Sequence, residues 1–240
     1  MLNNILSSEI KNSVVIGIQA RISSQRLPRK ALMPIKETTI LGATISRCLA
    51  SDLRTYVLTS NQVEDDLIEN ESKKYKVSGV LRGSLANVLS RYKNLEKQTK
   101  AKYIIRVTAD NPFTDTLGII NLANQTLNNN YLYLRNLEED LPIGYHSELF
   151  NSKELYKPYN NNDLAKEHVT YSIKKNVKIS YAQSLNYGFN KINLKALECS
   201  IDTKNDYLKA INLIKNINSN QCFESLNLTK KIFLNIKNQK

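Results

Sequence analysis

The chain has 240 residues, 41% hydrophobic and 23% charged, which suits an ordered α/β domain with a core and excludes a disordered polymer. No apolar run approaches the ~20 residues of a membrane helix. The opening MLNNILSSEIKNS reads as a short helix or arm, since it has neither the basic start nor the long apolar stretch of a signal peptide. The net charge of +12, from 34 cations against 22 anions, points to an anionic partner: nucleic acid, a membrane surface or a phosphate-rich small molecule.

In chain order, VVIGIQA (14–20) is an apolar run that ends in a basic loop, the pattern of a buried parallel strand. Residues 39–50 carry apolar side chains at helical spacing, and 54–60 are β-branched and apolar. Residues 64–75 start acidic and end basic, which complements a helix dipole. A strand at 79–81, a helix at 85–97, the strand YIIRV (103–107) and a helix over 117–127 follow, the last capped by Thr114 or Asp115. Four rounds of this alternation predict a doubly wound parallel sheet. The rhythm changes after Asn128. YLYL and HSELF read as strands without a crossover helix, so 131–185 is expected to be a small mixed segment, inserted or at the sheet edge. ECSID (198–202) reads as a return strand, with a helix from 204 to about 215. The final TKKIFLNIKNQK, with four lysines and no acid, reads as a solvated tail, and the Asn runs at 128–130 and 160–162 read as loops. Cys48, Cys199 and Cys222 are odd in number and widely spaced, which suits buried thiols in a reducing cytoplasm better than disulfides or zinc.

Between Lys11 and Lys36 lie six cations and no acid. Ligands of open α/β sheets sit at the carboxyl ends of strands, so the loop QARISSQRLPRK places Gln19, Ala20, Arg21, Ser23, Ser24, Arg26 and Lys30 beside a cleft. Two guanidinium groups and one ammonium can wrap a triphosphate, with serine donors added; a generic basic surface loop is the plainer alternative. Neither GxGxxG nor GxxxxGK[ST] occurs, which disfavours a dinucleotide site and a Walker ATPase. The cations gather in this loop instead of interleaving with the 13 tyrosines, so no nucleic-acid partner is expected, and no membrane partner either.

QARISSQRLPRKAL resembles the N-terminal signature of the spore-coat polysaccharide cytidylyltransferase family, which is related to the CMP-sialic acid and CMP-Kdo synthetases. The resemblance continues through RGSLANVLSRY, RVTADNPFTD, PIGYHSELF, EHVT and SIDTKNDY, in order, over nearly the whole chain. It implies a single Rossmann-like α/β domain over 1–240: a doubly wound, mostly parallel sheet of the nucleotide-diphospho-sugar transferase type with a small mixed insertion. The implied reaction is transfer of CMP from CTP to a sugar acid or similar anionic acceptor, with release of pyrophosphate, in surface polysaccharide or glycoconjugate synthesis. A homodimer built through 131–185, a cytoplasmic location and a Mg²⁺ or Mn²⁺ cofactor are implied with it. By the same resemblance Asp110 and Asp202 take the metal, with turn-forming and helix-capping as their plainer roles; Arg21, Lys30 and Asp110 carry the catalysis. Ser60, Asn61, Arg82 and Thr108 are the positions to watch for base and ribose.

Where the family often reads G-x-D-x-E, this chain reads Gly144, Tyr145, His146, Ser147, Glu148, so a histidine replaces an aspartate. His146 reads either as a group for the acceptor's anion or proton, or as a strand-edge histidine facing water. Glu148 is the candidate for acceptor hydroxyls; Glu167 and His168 face the acceptor or a partner subunit. A glycine common in the family is Ser23 here, which would carry strain if that position required a positive φ. A uridylyl- or guanylyltransferase, a sugar-nucleotide glycosyltransferase, a nucleotide-binding homologue without catalysis, a basic nucleic-acid-binding protein, and acceptors such as a sugar phosphate, polyol phosphate or phosphonate remain as alternatives.

Overall fold

A short helix α1 (Ser8–Ser13) leads into β1 (Val14–Gln19), and a small antiparallel pair, β2 (Pro34–Ile35) and β3 (Thr38–Thr39), leads into α2 (Ile40–Leu49). Strand and helix then alternate through β4 (Arg54–Ser60), α3 (Asp66–Ser72), β5 (Gly79–Gly83), α4 (Val88–Thr99), β6 (Tyr103–Thr108) and α5 (Thr116–Gln125). The second half holds β7 (Tyr133–Arg135), β8 (Glu148–Asn151), α6 (Asp163–Glu167), α7 (Tyr171–Asn176), β9 (Ser180–Tyr181), α8 (Lys204–Ile214) and α9 (Leu228–Lys237). The computed structural model describes residues 6–127, 129–137, 139, 141–185, 187, 198–217 and 222–237. The first five residues of the N-terminal arm, Asn128 and the last three lysine-tail residues lie outside the described residues.

The sheet runs β5-β4-β1-β6-β8-β7-β9. Its first four strands are parallel; β8 lies antiparallel to both β6 and β7, and β9 runs parallel to β7. Residues 131–185 thus add their three strands to the edge of the same sheet. The chain steps outward from β1 to β4 and β5, then returns past β1 to lay down β6. That reversal opens a crevice between the carboxyl ends of β1 and β6, where ligands of such sheets bind.

The strands are apolar on both faces because helices cover both. Val14, Ile16 and Ile18 of β1 face Leu41 and Ile45 of α2 and Ile119 of α5. Val15 faces the opposite layer with Leu89, Tyr92 and Leu95 of α4. Gly17 lies on that second face, where a Cβ would stand 2.9 Å from the Tyr92 ring. Its missing side chain lets the Tyr92 hydroxyl donate to Gly17 O at 3.2 Å. Each fully buried Leu or Ile contributes about 1.5–3 kcal/mol.

A third apolar cluster decides the position of the C-terminal helices. Phe113, in the turn after β6, stacks on Tyr145 at 5.7 Å and on Phe223 at 6.3 Å between ring centres. Ile232 and Phe233 of α9 are buried against it. The solvated tail expected from the lysine count is therefore, over 228–237, a packed helix, because its apolar pair outweighs Lys230 and Lys231 on the outer side. Arg47 of α2 is fully buried and ties the same region together, donating from Nε to Thr114 O at 3.0 Å and from Nη1 to Phe223 O at 3.3 Å and to Ser225 O. Burial pulls the Arg47 pKa down, against the pull of the nearby Asp115 carboxylate.

The return strand expected at 198–202 does not form. Cys199 N donates to Ile143 O at 2.9 Å and Ile201 N to Asp110 O at 3.0 Å, so the segment bonds to two different loops instead of pairing along one strand. The expected cap of α5 is Asp115, whose Oδ2 accepts from Gly118 N at 2.6 Å.

Candidate functional site

A cleft of about 980 Å³ opens where β1 and β6 end. One wall is the loop after β1, with Gln19, Ala20, Arg21, Ser23, Ser24, Arg26 and Lys30; the other carries Thr108, Asp110 and Asp202, with Glu167 of α6 at the rim. The loop is anchored from behind by Asp65, a buried residue just before α3. Its carboxylate accepts from Ile22 N at 2.7 Å and Ser60 N at 3.1 Å, and from the Ser60 hydroxyl. Ser24 Oγ accepts from Leu27 N at 3.4 Å and tightens the turn. Arg29 sits in the left-handed region at φ 56°, which turns the chain so that Lys30 faces back into the cleft. Among the described residues Ser23 is not at positive φ, so serine carries no backbone strain there.

The Lys30 ammonium stands between the two carboxylates. It donates to Asp110 Oδ2 at 2.6 Å, Asp202 Oδ1 at 2.7 Å and Ile201 O at 2.9 Å. Arg26 Nη2 meets Asp202 Oδ2 at 3.0 Å. Arg21 lines the cleft and pairs with no acid among the described residues. The plainer helix-capping role of Asp202 is filled by neighbours, while Asp110 does lie in the turn that follows β6. Thr203 caps α8 in a capping box with Asp206, which leaves the Asp202 carboxylate to the cleft. Asp110 points at Lys30 and caps no helix.

Asp110 and Asp202 also fit a divalent cation. Asp110 Oδ1 is buried without a hydrogen-bond partner, and a cationic nitrogen already sits among oxygens of both side chains and a backbone carbonyl. Hard cations such as magnesium take that donor set and keep waters in the remaining positions. Among the described residues no group of three His, Cys, Asp or Glu side chains converges, so other positions would fall to water and nucleotide oxygens.

A second cleft, about 490 Å³, adjoins the first through Thr108. It is lined by Arg106, Arg135, His146 and Glu148, with Leu141, Pro142 and Ile143 as an apolar side. Glu148, read from sequence as the grip for acceptor hydroxyls, lines this cleft and centres an ion cluster. Its carboxylate meets Arg106 Nη1 at 3.3 Å and Lys174 Nζ at 3.2 Å, and accepts from Thr170 Oγ1 at 2.9 Å. Burial pushes its pKa up, but Arg106, Lys174 and the hydroxyls of Thr170 and Tyr133 outweigh burial and hold it down to about 2. The depressed value sets a sign. Stability from Glu148 is complete above its ordinary 4.5 and is lost as pH falls toward 2. Glu148→Gln should cost about 3 kcal/mol at pH 7 by leaving two cations uncompensated, and the gap to the parent should close in acid denaturation near pH 2.

Arg106 was missed in the sequence, although an arginine inside the apolar strand YIIRV is itself a signal. Burial, the largest single influence, works against its charge, but Glu148 together with Tyr92, Tyr133 and Asp110 outweighs it and raises the Arg106 pKa. Its Nε is buried without a partner. His146 lines this cleft, with Nε2 3.2 Å from Leu137 O. The other expected positions fall elsewhere. Ser60 is buried on Asp65, Asn61 is exposed with its N–H on Gly83 O at 2.8 Å, and neither lines either of these two clefts. Arg82 is engaged by Asp66, by Glu69 at 3.1 Å and by the carbonyls of Ser60 and Gln62, because α3 presents its acids to β5. His168 is exposed and lines neither cleft.

A cationic strand-end loop faces paired carboxylates across a switch-point crevice, an arrangement suited to a nucleotide's phosphates, and the family match makes the chain a nucleotidyltransferase. The chain belongs to the cytidylyltransferase family, whose model matches residues 14–234. It is 30% identical over 207 residues to the spore coat polysaccharide biosynthesis protein SpsF of Bacillus subtilis (strain 168), covering 82% of this chain and 84% of that one. A cytidylyltransferase structure from Leptospira borgpetersenii serovar Hardjo-bovis superposes with a TM-score of 0.78 at 27% identity, over 94% of this chain and 95% of that one. CMP-2-keto-3-deoxy-manno-octonic acid synthetase complexed with CTP shares the fold, with a TM-score of 0.62 at 14% identity over 85% and 98% of the two chains.

Proposed function

We propose that this enzyme transfers CMP from CTP to an anionic, sugar-like acceptor, a sugar acid foremost, in the synthesis of a surface polysaccharide or glycoconjugate. The carrying observation is the single cleft in which Arg21, Arg26 and Lys30 face Asp110 and Asp202. In this reading an acceptor oxygen attacks the α-phosphorus, the new O–P bond forms as the bond to the β-phosphoryl oxygen breaks, and pyrophosphate leaves with its electrons. The acceptor's proton passes to the water of the cleft. Arg21 and Arg26 bind the β- and γ-phosphates, and no covalent enzyme intermediate is needed, because positioning and charge neutralisation supply the rate. Asp110 and Asp202 would hold Mg²⁺ or Mn²⁺, which when bound offsets charge on the transferred and departing phosphates.

The acceptor reading draws on the second cleft, where Arg106 and Arg135 offer charge and Leu141, Pro142 and Ile143 an aliphatic wall. The role in surface polysaccharide is drawn from the likeness to SpsF. A cytoplasmic location suits a CTP-dependent enzyme whose Cys48, Cys199 and Cys222 are buried and free. No described helix is long and apolar enough to cross a membrane. Homodimerisation through 131–185 would cover Leu132 and Tyr181, which are exposed there.

The test is pyrophosphate release with each of four nucleoside triphosphates against sugar acids, sugar phosphates, polyol phosphates and phosphonates. CTP with a sugar acid should give the highest kcat/KM. Activity confined to another base or to uncharged acceptors would overturn the proposal. Arg106→Gln should raise the acceptor KM roughly 30-fold, with the CTP KM unchanged, as expected for one charge-assisted contact of about 2 kcal/mol.

A further inference from the structure

All three donors of the Lys30 ammonium are satisfied by oxygens, two from the carboxylates of Asp110 and Asp202 and one from Ile201 O, at 2.6–2.9 Å. Three oxygens around one cation are the start of a metal's coordination shell, with nitrogen in the metal's place. Arg26 holds the other oxygen of Asp202 at 3.0 Å. Two aspartates are therefore already balanced by two cations before any nucleotide arrives. A divalent ion added to this arrangement would meet an ammonium at contact distance and leave two excess positive charges in a cleft only partly open to solvent; the Lys30 side chain is 16% exposed.

A triphosphate changes the balance, because its oxygens are better partners for Lys30 and Arg26 than carboxylates already shared with each other. Lysine suits this exchange. Its ammonium is a point charge on a flexible four-carbon stem and can swing without a change of backbone. The left-handed turn at Arg29 fixes the base of that stem at the cleft wall, within reach of Asp110 and Asp202 and of the loop that lines the cleft.

We infer that Lys30 is a gate on the metal site. In the free enzyme its ammonium occupies the position of the cation between Asp110 and Asp202, and it yields that position only when phosphates draw it away. Divalent metal and nucleotide then bind together, each tightening the other, and free metal alone binds poorly. The inference rests on the reading that Asp110 and Asp202 hold the metal. It goes further by assigning Lys30 a role before catalysis that is opposed to metal binding.

Mn²⁺ binding, read from the free-ion electron paramagnetic resonance signal, tests the gate without turnover. The parent enzyme should bind Mn²⁺ at least tenfold more weakly alone than with α,β-methylene-CTP, after correction for chelation by the analogue. Lys30→Met, checked for folding by circular dichroism, should bind Mn²⁺ at least tenfold more tightly than the parent in the absence of nucleotide; Lys30→Arg, which keeps the charge, should stay weak. Equal affinities for parent and Lys30→Met, with Asp110→Asn still abolishing Mn²⁺ binding in the analogue complex, would overturn the gate and leave the metal ligands standing. Unaltered Mn²⁺ binding in Asp110→Asn with the analogue would remove both. Should Lys30→Met fail to fold, Lys30→Gln, which also removes the charge, takes its place in the same comparison, since nucleotide oxygens on the metal would tighten Mn²⁺ in the parent with or without a gate.

Discussion

Asp110→Asn is expected to lower CTP turnover by about 10²–10³-fold at saturating divalent metal, a loss of roughly 3–4 kcal/mol of transition-state stabilisation. The substitution keeps shape and removes charge. Asp110 lies at the end of β6, where Ile201 N bonds to its backbone O at 3.0 Å, and this placement does not depend on the carboxylate. What changes is the pair of oxygens, one on Lys30 at 2.6 Å and one buried without a partner. An amide offers one weaker acceptor and turns a donor toward the ammonium. The thermal midpoint should therefore move by only a few degrees while kcat collapses, and raising Mn²⁺ tenfold should not restore it. Near-parent turnover in pyrophosphate release would show that Asp110 neither holds the cation nor orders the phosphates.

The parts of this site that were legible in the sequence are those set by local rules. β4 falls on the β-branched run 54–60, and Asp115 caps α5 as its position before an apolar stretch predicts. The loop after β1 could be placed at the cleft because the strand-end rule needs only chain order. Its convergence with Asp202 came from the resemblance, since no periodicity brings residues 26 and 202 together. What stayed hidden depends on side chains meeting over long separations. The ion cluster around Glu148 is invisible in the sequence because Thr170 and Lys174, which engage it, lie beyond the loop and helix that follow β8. Asp65 read as one of a run of acids at a helix start, yet it holds Ile22 N at the back of the phosphate loop. Arg82 is the opposite case: its position suggested a ligand, and two acids of α3 engage it. In α9 the lysine count masked Ile232 and Phe233, whose burial defines the helix.

The same contrast gives the second large effect, at Gly144. The residue sits at φ 94°, and a Cβ there would stand 2.5 Å from Cys199 C, 2.6 Å from Cys199 O and 2.6 Å from Ser200 N. All three are backbone atoms, so no side chain can swing aside to make room. The backbone conformation alone costs about 1–3 kcal/mol for a non-glycine residue, and relieving the clash adds about as much. Gly144→Ala should therefore lower unfolding free energy by roughly 3–4 kcal/mol, read from urea denaturation. The clash also falls on the segment that ends at Asp202. Pushed away from Gly144, residues 199–201 carry Ile201 O and Asp202 off Lys30, which they now meet at 2.9 and 2.7 Å. Misplacement by about 1 Å at a reacting centre can reduce rate ~10²-fold, so turnover should drop at least tenfold even at temperatures where the variant is fully folded. A Gly144→Ala protein as stable and active as the parent would mean that the return segment does not pass against this loop, and that something else holds Asp202 opposite the phosphate loop.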